Sequence, residues 1–150
     1  MIGNLTKSQI ENILQSQSIC HLSCSDGQKP YVVPVTYAYD GNYIYIQTRD
    51  GKKMKMIRKN PNVCIQVEIM SSMSNWQSVI ANGKAEELKE EEAIAARKKL
   101  FNKVLTLLTS ATVHKFEHSG NHESLIDDSN RVKSVMLRIK IKELTGRFEK

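Results

Sequence analysis

A mainly β fold, a small antiparallel barrel with peripheral helices, is predicted by three observations. Short runs that alternate apolar and polar residues recur along most of the 150-residue chain, the pattern of half-buried strands. Turn-forming pairs such as the Asp-Gly at 26–27 and 40–41 separate them closely enough for hairpins. Helical spacing appears in only three segments. A chain of this length forms about one domain with a real core, and neither an internal repeat nor a linker interrupts it.

Each element follows in order. Thr6 and Gln9 have the spacing of a capping box, and Ile10, Ile13 and Leu14 then share one helical face. ICHLSCS (19 to 25), PYVVPVTYAYD (30 to 40) and NYIYIQT (42 to 48) read as a meander of three strands. Pro30 and Pro34 cannot donate ladder hydrogen bonds, so the second of these strands should lie at an edge, open at a bulge, or leave a gap where something else binds. A short basic helix follows from about residue 52 and stops at Asn60-Pro61. NVCIQVEIM (62 to 70) and WQSVIANGKAEEL (76 to 88) are the next strands, with SSMSN a polar loop between them and Gly83 a candidate bulge. Ala93, Ala96, Leu100, Val104 and Leu107 define a longer helix from Glu90 to about Leu108. Residues 109–131 are polar, without a clear period. In VKSVMLRIKIKEL (132 to 144), Val135, Leu137, Ile139 and Ile141 oppose Arg138, Lys140 and Lys142 across a strand.

Composition narrows the function classes. Hydrophobic residues at 40% and charged residues at 25% are ordinary for a soluble domain. No apolar run approaches a membrane span, and the amino terminus lacks the basic and then apolar pattern of a secretion signal, so a cytoplasmic location is expected. Cys20, Cys24 and Cys64 lie in alternating runs without metal-site or redox spacing and read as buried free thiols. A net charge of +6 favours anionic partners without choosing among them.

The charge pattern of the two later helices is more telling. The long one opens with Glu90, Glu91 and Glu92 and carries Arg97, Lys98, Lys99 and Lys103 further along, as its dipole favours. The short one places Lys52 and Lys53 in its first turn, with no acid between positions 51 and 60. Such misplacement costs only about 0.3 to 1 kcal/mol per exposed charge, so a solvated basic face with Asp50 as N-cap is one reading. The other is an anion site, in which Gly51 lets backbone approach a ligand and free N–H groups act together with two ammonium groups.

In the stretch from Cys20 to Glu68 together with NWQSVIANGKAEEL (75 to 88), the ordered set PVTYAYDG, TRDGKK, an Asn-Pro helix stop and a WxSV strand resembles the FMN-binding split-barrel family. That family includes pyridoxamine 5'-phosphate oxidases, and the chain is most similar to its short, nitroimidazole-resistance-like branch. The resemblance implies a six-stranded antiparallel split barrel with Greek-key character, assembled as a homodimer with FMN at the subunit interface. It implies that Lys52 and Lys53 hold the flavin phosphate, completed by Gly51 and Thr48. Val33, Pro34, Val35 and Thr36 would run beside the isoalloxazine ring, and Gln47 would face the ribityl chain or ring. Trp76 and Ser78 would come from the second subunit to the same flavin.

Two departures separate the chain from the longer oxidases. Tyr31 and Thr36 stand where those carry an arginine and a lysine, and ELTGRFEK has no match to their carboxy-terminal substrate segment. Gln47 replaces a histidine frequent in the resistance branch. The expected function is therefore FMN-dependent electron transfer, from NAD(P)H to a small planar acceptor such as a nitroaromatic, with no catalytic acid or base nominated. Pyridoxamine 5'-phosphate oxidation and a non-catalytic flavin or haem carrier are the alternatives.

Other features carry weaker readings. His114, His118 and His122 recur every four positions, but Gly120 and Asn121 interrupt the helix a metal site would need, which favours a polar loop. His21 faces away from Cys20 and Leu22 and is taken as structural. The Arg138, Lys140 and Lys142 face lacks the interleaved aromatics of a single-strand binder, which disfavours nucleic acid.

Overall fold

Closure of the barrel depends on one long strand that finds partners on both of its edges. The computed structural model describes residues 1–111 and 134–150. In chain order the elements are β1 (Ile2–Asn4), α1 (Lys7–Ser16), β2 (Ile19–Ser25), β3 (Pro30–Tyr39), β4 (Tyr43–Arg49), α2 (Lys52–Lys59), β5 (Asn62–Ser72), β6 (Asn75–Leu88), α3 (Glu90–Ala111) and β7 (Ser134–Glu149). All pairings are antiparallel, in the order β1-β7-β4-β3-β2-β5-β6, and β6 returns to β7 to close the ring. Because β5 lies beside β2 rather than β4, strands β2 to β5 form a Greek key. The result is a six-stranded antiparallel barrel with β1 added at one edge.

Local chemistry accounts for the turns. Asp40 Oδ1 accepts from the amides of Asn42 and Tyr43 at 2.9 and 2.8 Å, and Gly41 takes a φ of +96° that a side chain would resist. The Asp26 turn repeats the arrangement, with Oδ1 accepting from Gln28 and Lys29. Gly83 marks the anticipated bulge: the β6–β7 register shifts between Asn82 and Gly83, and an added Cβ would collide with the Lys140 carbonyl oxygen. The capping box of α1 is complete in both directions, from Thr6 N–H to Gln9 Oε1 and from Gln9 N–H to Thr6 Oγ1.

Two clusters of apolar residues hold the fold. The inner one includes Leu22, Tyr37, Ile44, Ile46, Ile65, Leu137 and Ile139, all fully buried. Helix α1 contributes to it Ile10, Ile13 and Leu14, and Tyr37 Oη donates to the Leu14 carbonyl at 2.8 Å. The outer cluster forms where Ala96 and Leu100 of α3 pack on Ala38, Tyr45 and Met136. Burying a leucine-sized side chain contributes roughly 1.5–3 kcal/mol, so each cluster is a substantial anchor.

Three sequence expectations change. The polar loop SSMSN is a two-residue turn at Met73–Ser74, with strand pairing on both sides. The last strand runs on from residue 144 to Glu149, where Phe148 and Arg147 pair with β1 on one edge and with Gln77 and Ser78 on the other. Strand β1 itself was not anticipated. Among the described residues, no helix is long and apolar enough to cross a membrane.

Candidate functional site

Strand β3 is paired on only one edge along most of its length. Residues Pro30 to Thr36 pair with β2, whereas β4 pairs with β3 only at Tyr37, Ala38 and Tyr39. Beyond Ile46, β4 leaves with β7, and the sheet splits. The Tyr37 amide donates to the Ser18 carbonyl at 3.0 Å, so odd residues of β3 point their polar groups toward β2 and even residues point theirs into the split. Pro34 therefore breaks no ladder bond. Its carbonyl, with the N–H and C=O of Val32 and Thr36, lies along the open edge.

Helix α2 stands at the mouth of the split. Lys52, Lys55 and Lys59 form one stripe on it and, with Lys29, Asp26, Pro30, Tyr31 and Met56, line a cleft of about 490 Å³. The Lys52 amine lies 5.0 Å from the centroid of the Tyr31 ring. Lys53 turns a different way. It is half-buried, burial pushes its ammonium below the usual lysine range, and its charge faces Cys24.

Asp50 is not the cap of α2. Gly51 occupies that position without a side-chain bond, and Asp50 instead pairs with Arg58 Nη1 at 2.7 Å, while Arg58 Nη2 reaches Glu87 at 3.1 Å. The first-turn amides of α2 thus have no side-chain partner from the cap residue. Gly51 has an ordinary extended φ of −137°, and a Cβ added there would meet nothing within 4 Å. Neither strain nor packing within the chain requires glycine at this position, so bare backbone at the start of α2 is its distinguishing property.

The far lip of the split carries unsatisfied polar groups. Among the described residues, four buried side-chain atoms lack a hydrogen-bond partner: Gln47 Oε1, Thr48 Oγ1, Arg97 Nε and Lys103 Nζ. Gln47 and Thr48 are consecutive at the end of β4, where it has parted from β3. Gln47 Nε2 is used, donating to Ser134 Oγ at 2.7 Å, which leaves its oxygen free. An unpaired buried polar atom costs about 1–3 kcal/mol, and Gln47 and Thr48, on opposite faces of β4, both lie where that strand has lost β3 as a neighbour.

Sequence-selected residues thus fall into two places. Thr48, Gln47 and the Val33–Thr36 segment border the split, with Pro34 and Thr36 exposed and Val33 and Val35 half-buried. Lys52 lines the cleft at its mouth, Gly51 precedes it, and Lys53 turns toward Cys24 instead of joining it. Trp76 and Ser78 lie elsewhere, on β6, with β2 and β5 between them and β3; three strand spacings are roughly 14 Å along the sheet. Trp76 Nε1 donates to Glu149 at 2.9 Å, and Ser78 Oγ accepts from Gln66 at 3.1 Å. One chain does not bring these two groups together. Sequence reasoning did not select Lys29, Lys55, Lys59 or Lys103. The 52, 55, 59 spacing was readable as one helical stripe, whereas Lys29 and Lys103 are brought in by tertiary structure alone.

The remaining candidates resolve simply. Cys20 and Cys24 are buried free thiols and Cys64 is half-buried. Arg138 is bound to Glu86 at 2.9 Å and lies over the Tyr43 ring, so the basic face of β7 is partly spent within the chain. His114, His118 and His122 lie outside the described residues.

A closed antiparallel barrel, split along one strand edge where β3 and β4 part, defines a class of small split-barrel proteins. Within it, the chain belongs to the pyridoxamine 5'-phosphate oxidase family, whose model matches residues 6–148. A curated relative, an uncharacterised protein of Rhizobium meliloti (strain 1021), is 31% identical over 84 residues, 56% of each chain. The match thus spans about half the length of that relative. Among solved structures, a FAD-binding protein of Mesorhizobium loti superposes with a TM-score of 0.76 at 24% identity, covering 100% of this chain and 98% of the other. A candidate 5-nitroimidazole antibiotic resistance protein of Bacteroides thetaiotaomicron gives 0.71 at 21% identity, covering 99% and 87%. At these identities the structural likeness is one of fold.

Proposed function

We propose that the chain binds FMN in the split and works as an FMN-dependent oxidoreductase, taking electrons from NAD(P)H and passing them to a small planar acceptor such as a nitroaromatic. The observation that carries this reading is the coincidence, along one open strand edge, of a lysine-lined cleft at one end and unpartnered buried polar atoms at the other. A terminal phosphate monoester brings nearly two negative charges, which suits a cleft lined by four lysines and one aspartate. The uncapped amides behind Gly51 add a second source of positive potential. Flavin, when bound, supplies reversible electron and hydride chemistry, while the protein supplies binding, orientation and electrostatics. The open edge of Val32, Pro34 and Thr36 offers backbone donors and acceptors to a polar ring edge, and Gln47 Oε1 offers one further acceptor.

Assembly as a homodimer belongs to the same proposal. Ile19, Val32 and Met70 are each about 60% exposed or more and lie on the outer face of β2, β3 and β5, the face that also carries Trp76 and Ser78. Pairing two such faces would bury apolar side chains that one chain leaves in water and bring Trp76 of the partner subunit toward the split.

Purified protein should be yellow, with absorbance near about 450 nm, and the released chromophore should be FMN by mass. A Soret band instead would support a haem carrier. Bleaching by NAD(P)H with reoxidation by a nitroaromatic distinguishes an enzyme from a flavin carrier. In Lys52→Ala with Lys53→Ala, FMN should bind at least about tenfold more weakly, since Lys52 lines the cleft and one charged hydrogen bond contributes about 1.5–3 kcal/mol. Stoichiometric FMN in that double variant would reject the phosphate assignment. Val32→Glu should yield monomer by light scattering, and an unchanged dimer would reject the proposed face.

A further inference from the structure

Lys103 is the one lysine whose amine is both buried and without a hydrogen-bond partner among the described residues. Its position is unusual for a residue of α3. Leu100, one turn earlier, packs in the outer cluster, yet Lys103 Nζ lies 4.4 Å from the ring centroid of Tyr37, a residue of the inner core. It also lies near the Cys20 thiol, opposite Val35 on β2. To reach these groups from outside, the side chain must pass where β3 and β4 have separated, and Tyr37 with Ile46 is the last pair before they do. Lys103 thus stands at the closed end of the split. Lys52 over Tyr31 stands at the other, six residues along β3, or about 20 Å at the rise of a strand. That is the order of length of an extended flavin mononucleotide.

We propose that Lys103 is a flavin-positioning and redox-tuning residue, whose ammonium donates a charged hydrogen bond to an acceptor on the isoalloxazine system at the closed end of the split. This inference rests on the flavin reading above. The physical reason is the cost of the present arrangement: burial disfavours the charged amine and lowers its proton affinity, and a ring face at 4.4 Å offsets only part of that. An acceptor that gains electron density on reduction would satisfy the amine and be satisfied more strongly when reduced. A cation so placed therefore favours the reduced ring over the oxidised one.

The test compares wild type, Lys103→Met, Lys103→Gln and the Lys52→Ala with Lys53→Ala double variant. Their affinities for FMN and for riboflavin are measured by fluorescence quenching, and the midpoint potential of the bound flavin by redox titration. Lys103→Met should weaken FMN and riboflavin by the same factor, about tenfold or more. The lysine pair at α2 should affect FMN alone, because riboflavin has no phosphate. In Lys103→Met and Lys103→Gln the potential should fall, by about 30 mV for each tenfold of preference lost in a two-electron couple. The Lys103→Met apoprotein should melt a few degrees higher, since an unpaired buried cation is removed, and Lys103→Gln provides the same readings if the methionine variant does not fold. Wild-type flavin binding, with both affinities and the potential unchanged in the Lys103 variants, would overturn this inference and leave the flavin reading standing. Wild type that binds neither FMN nor riboflavin would remove both.

Discussion

The Lys52 ammonium lies over the ring of Tyr31, 5.0 Å from its centroid, so strand β3 and helix α2 meet at the mouth of the cleft. A ring face holds the amine without consuming its hydrogen-bond donors, which leaves them for an anion. We predict that Tyr31→Leu weakens FMN binding by about two- to fivefold, the equivalent of the 0.5–1 kcal/mol of an exposed cation–ring contact. Tyr31→Phe should match wild type. Equal affinities in all three proteins, measured by flavin fluorescence, would show that the ring does not orient Lys52.

Gly51 separates folding from binding. Its backbone conformation is open to any residue, and added atoms meet free space. In Gly51→Val, the melting temperature of the apoprotein should therefore stay within about 2–4 °C of wild type, corresponding to 1 kcal/mol or less. FMN affinity should fall at least tenfold, because the branched side chain occupies the approach to the helix amides. Loss of stability with full affinity would be the opposite of this prediction.

Asp40 couples the β3–β4 turn to helix α3. Burial opposes its ionisation, but amides of Tyr43 and Asn42, the Lys99 amine and the Tyr45 hydroxyl outweigh that and hold its pKa at about 2. A carboxyl with a depressed folded-state pKa stabilises the protein above its unfolded value of 3.8, and that contribution disappears as pH falls toward 2. Solvent screening discounts the exposed Lys99 pair, so the turn amides dominate. Asp40→Ala should cost about 1–2 kcal/mol near neutrality. In urea melts, the difference from wild type should shrink between pH 4 and pH 2, and a pH-independent difference would count against this account.

Cys20 governs the alkaline side. Burial pushes its thiol from 9.0 up to about 12, with Lys103 opposing. Between those values the unfolded chain loses its proton while the folded one keeps it, so folding stability declines as pH rises from about 9 toward 12. The limit is about 1.4 kcal/mol per pH unit. Cys20→Ala should flatten that decline in urea melts. The same burial predicts that Ellman's reagent attacks half-buried Cys64 before Cys20 in the native protein.

Much of this fold was legible because its strands alternate cleanly. Leu22, Ile44, Ile65 and Leu137 each stand in period-two runs, and each is fully buried. Pro34 was informative for the same reason, since a residue that cannot donate in a ladder must sit where no ladder exists. The missing pieces are those set by distant chain segments. Strand β1 has three residues and exists because Arg147 to Glu149 offer an edge, which no local pattern announces. Asp50 had the chemistry of an N-cap but sits within reach of Arg58, and an ion pair took its carboxylate. Lys103 reads as one of several cations on the later turns of a helix. Only the parting of β3 from β4 makes it a buried group.

Strand β7 meets β4, β1 and β6, and it is the last of the described strands to leave the ribosome. Every seam it joins must wait for it, so during synthesis the sheet β4-β3-β2-β5-β6 stands unclosed, with β4 and β6 as its open sides. Such late, long-range closure makes assembly slow and exposes those sides to stray pairing. Pulsed hydrogen exchange during refolding should protect amides of Leu22 and Ile65 before those of Leu137 and Ile139; simultaneous protection would show that the ring forms in a single event.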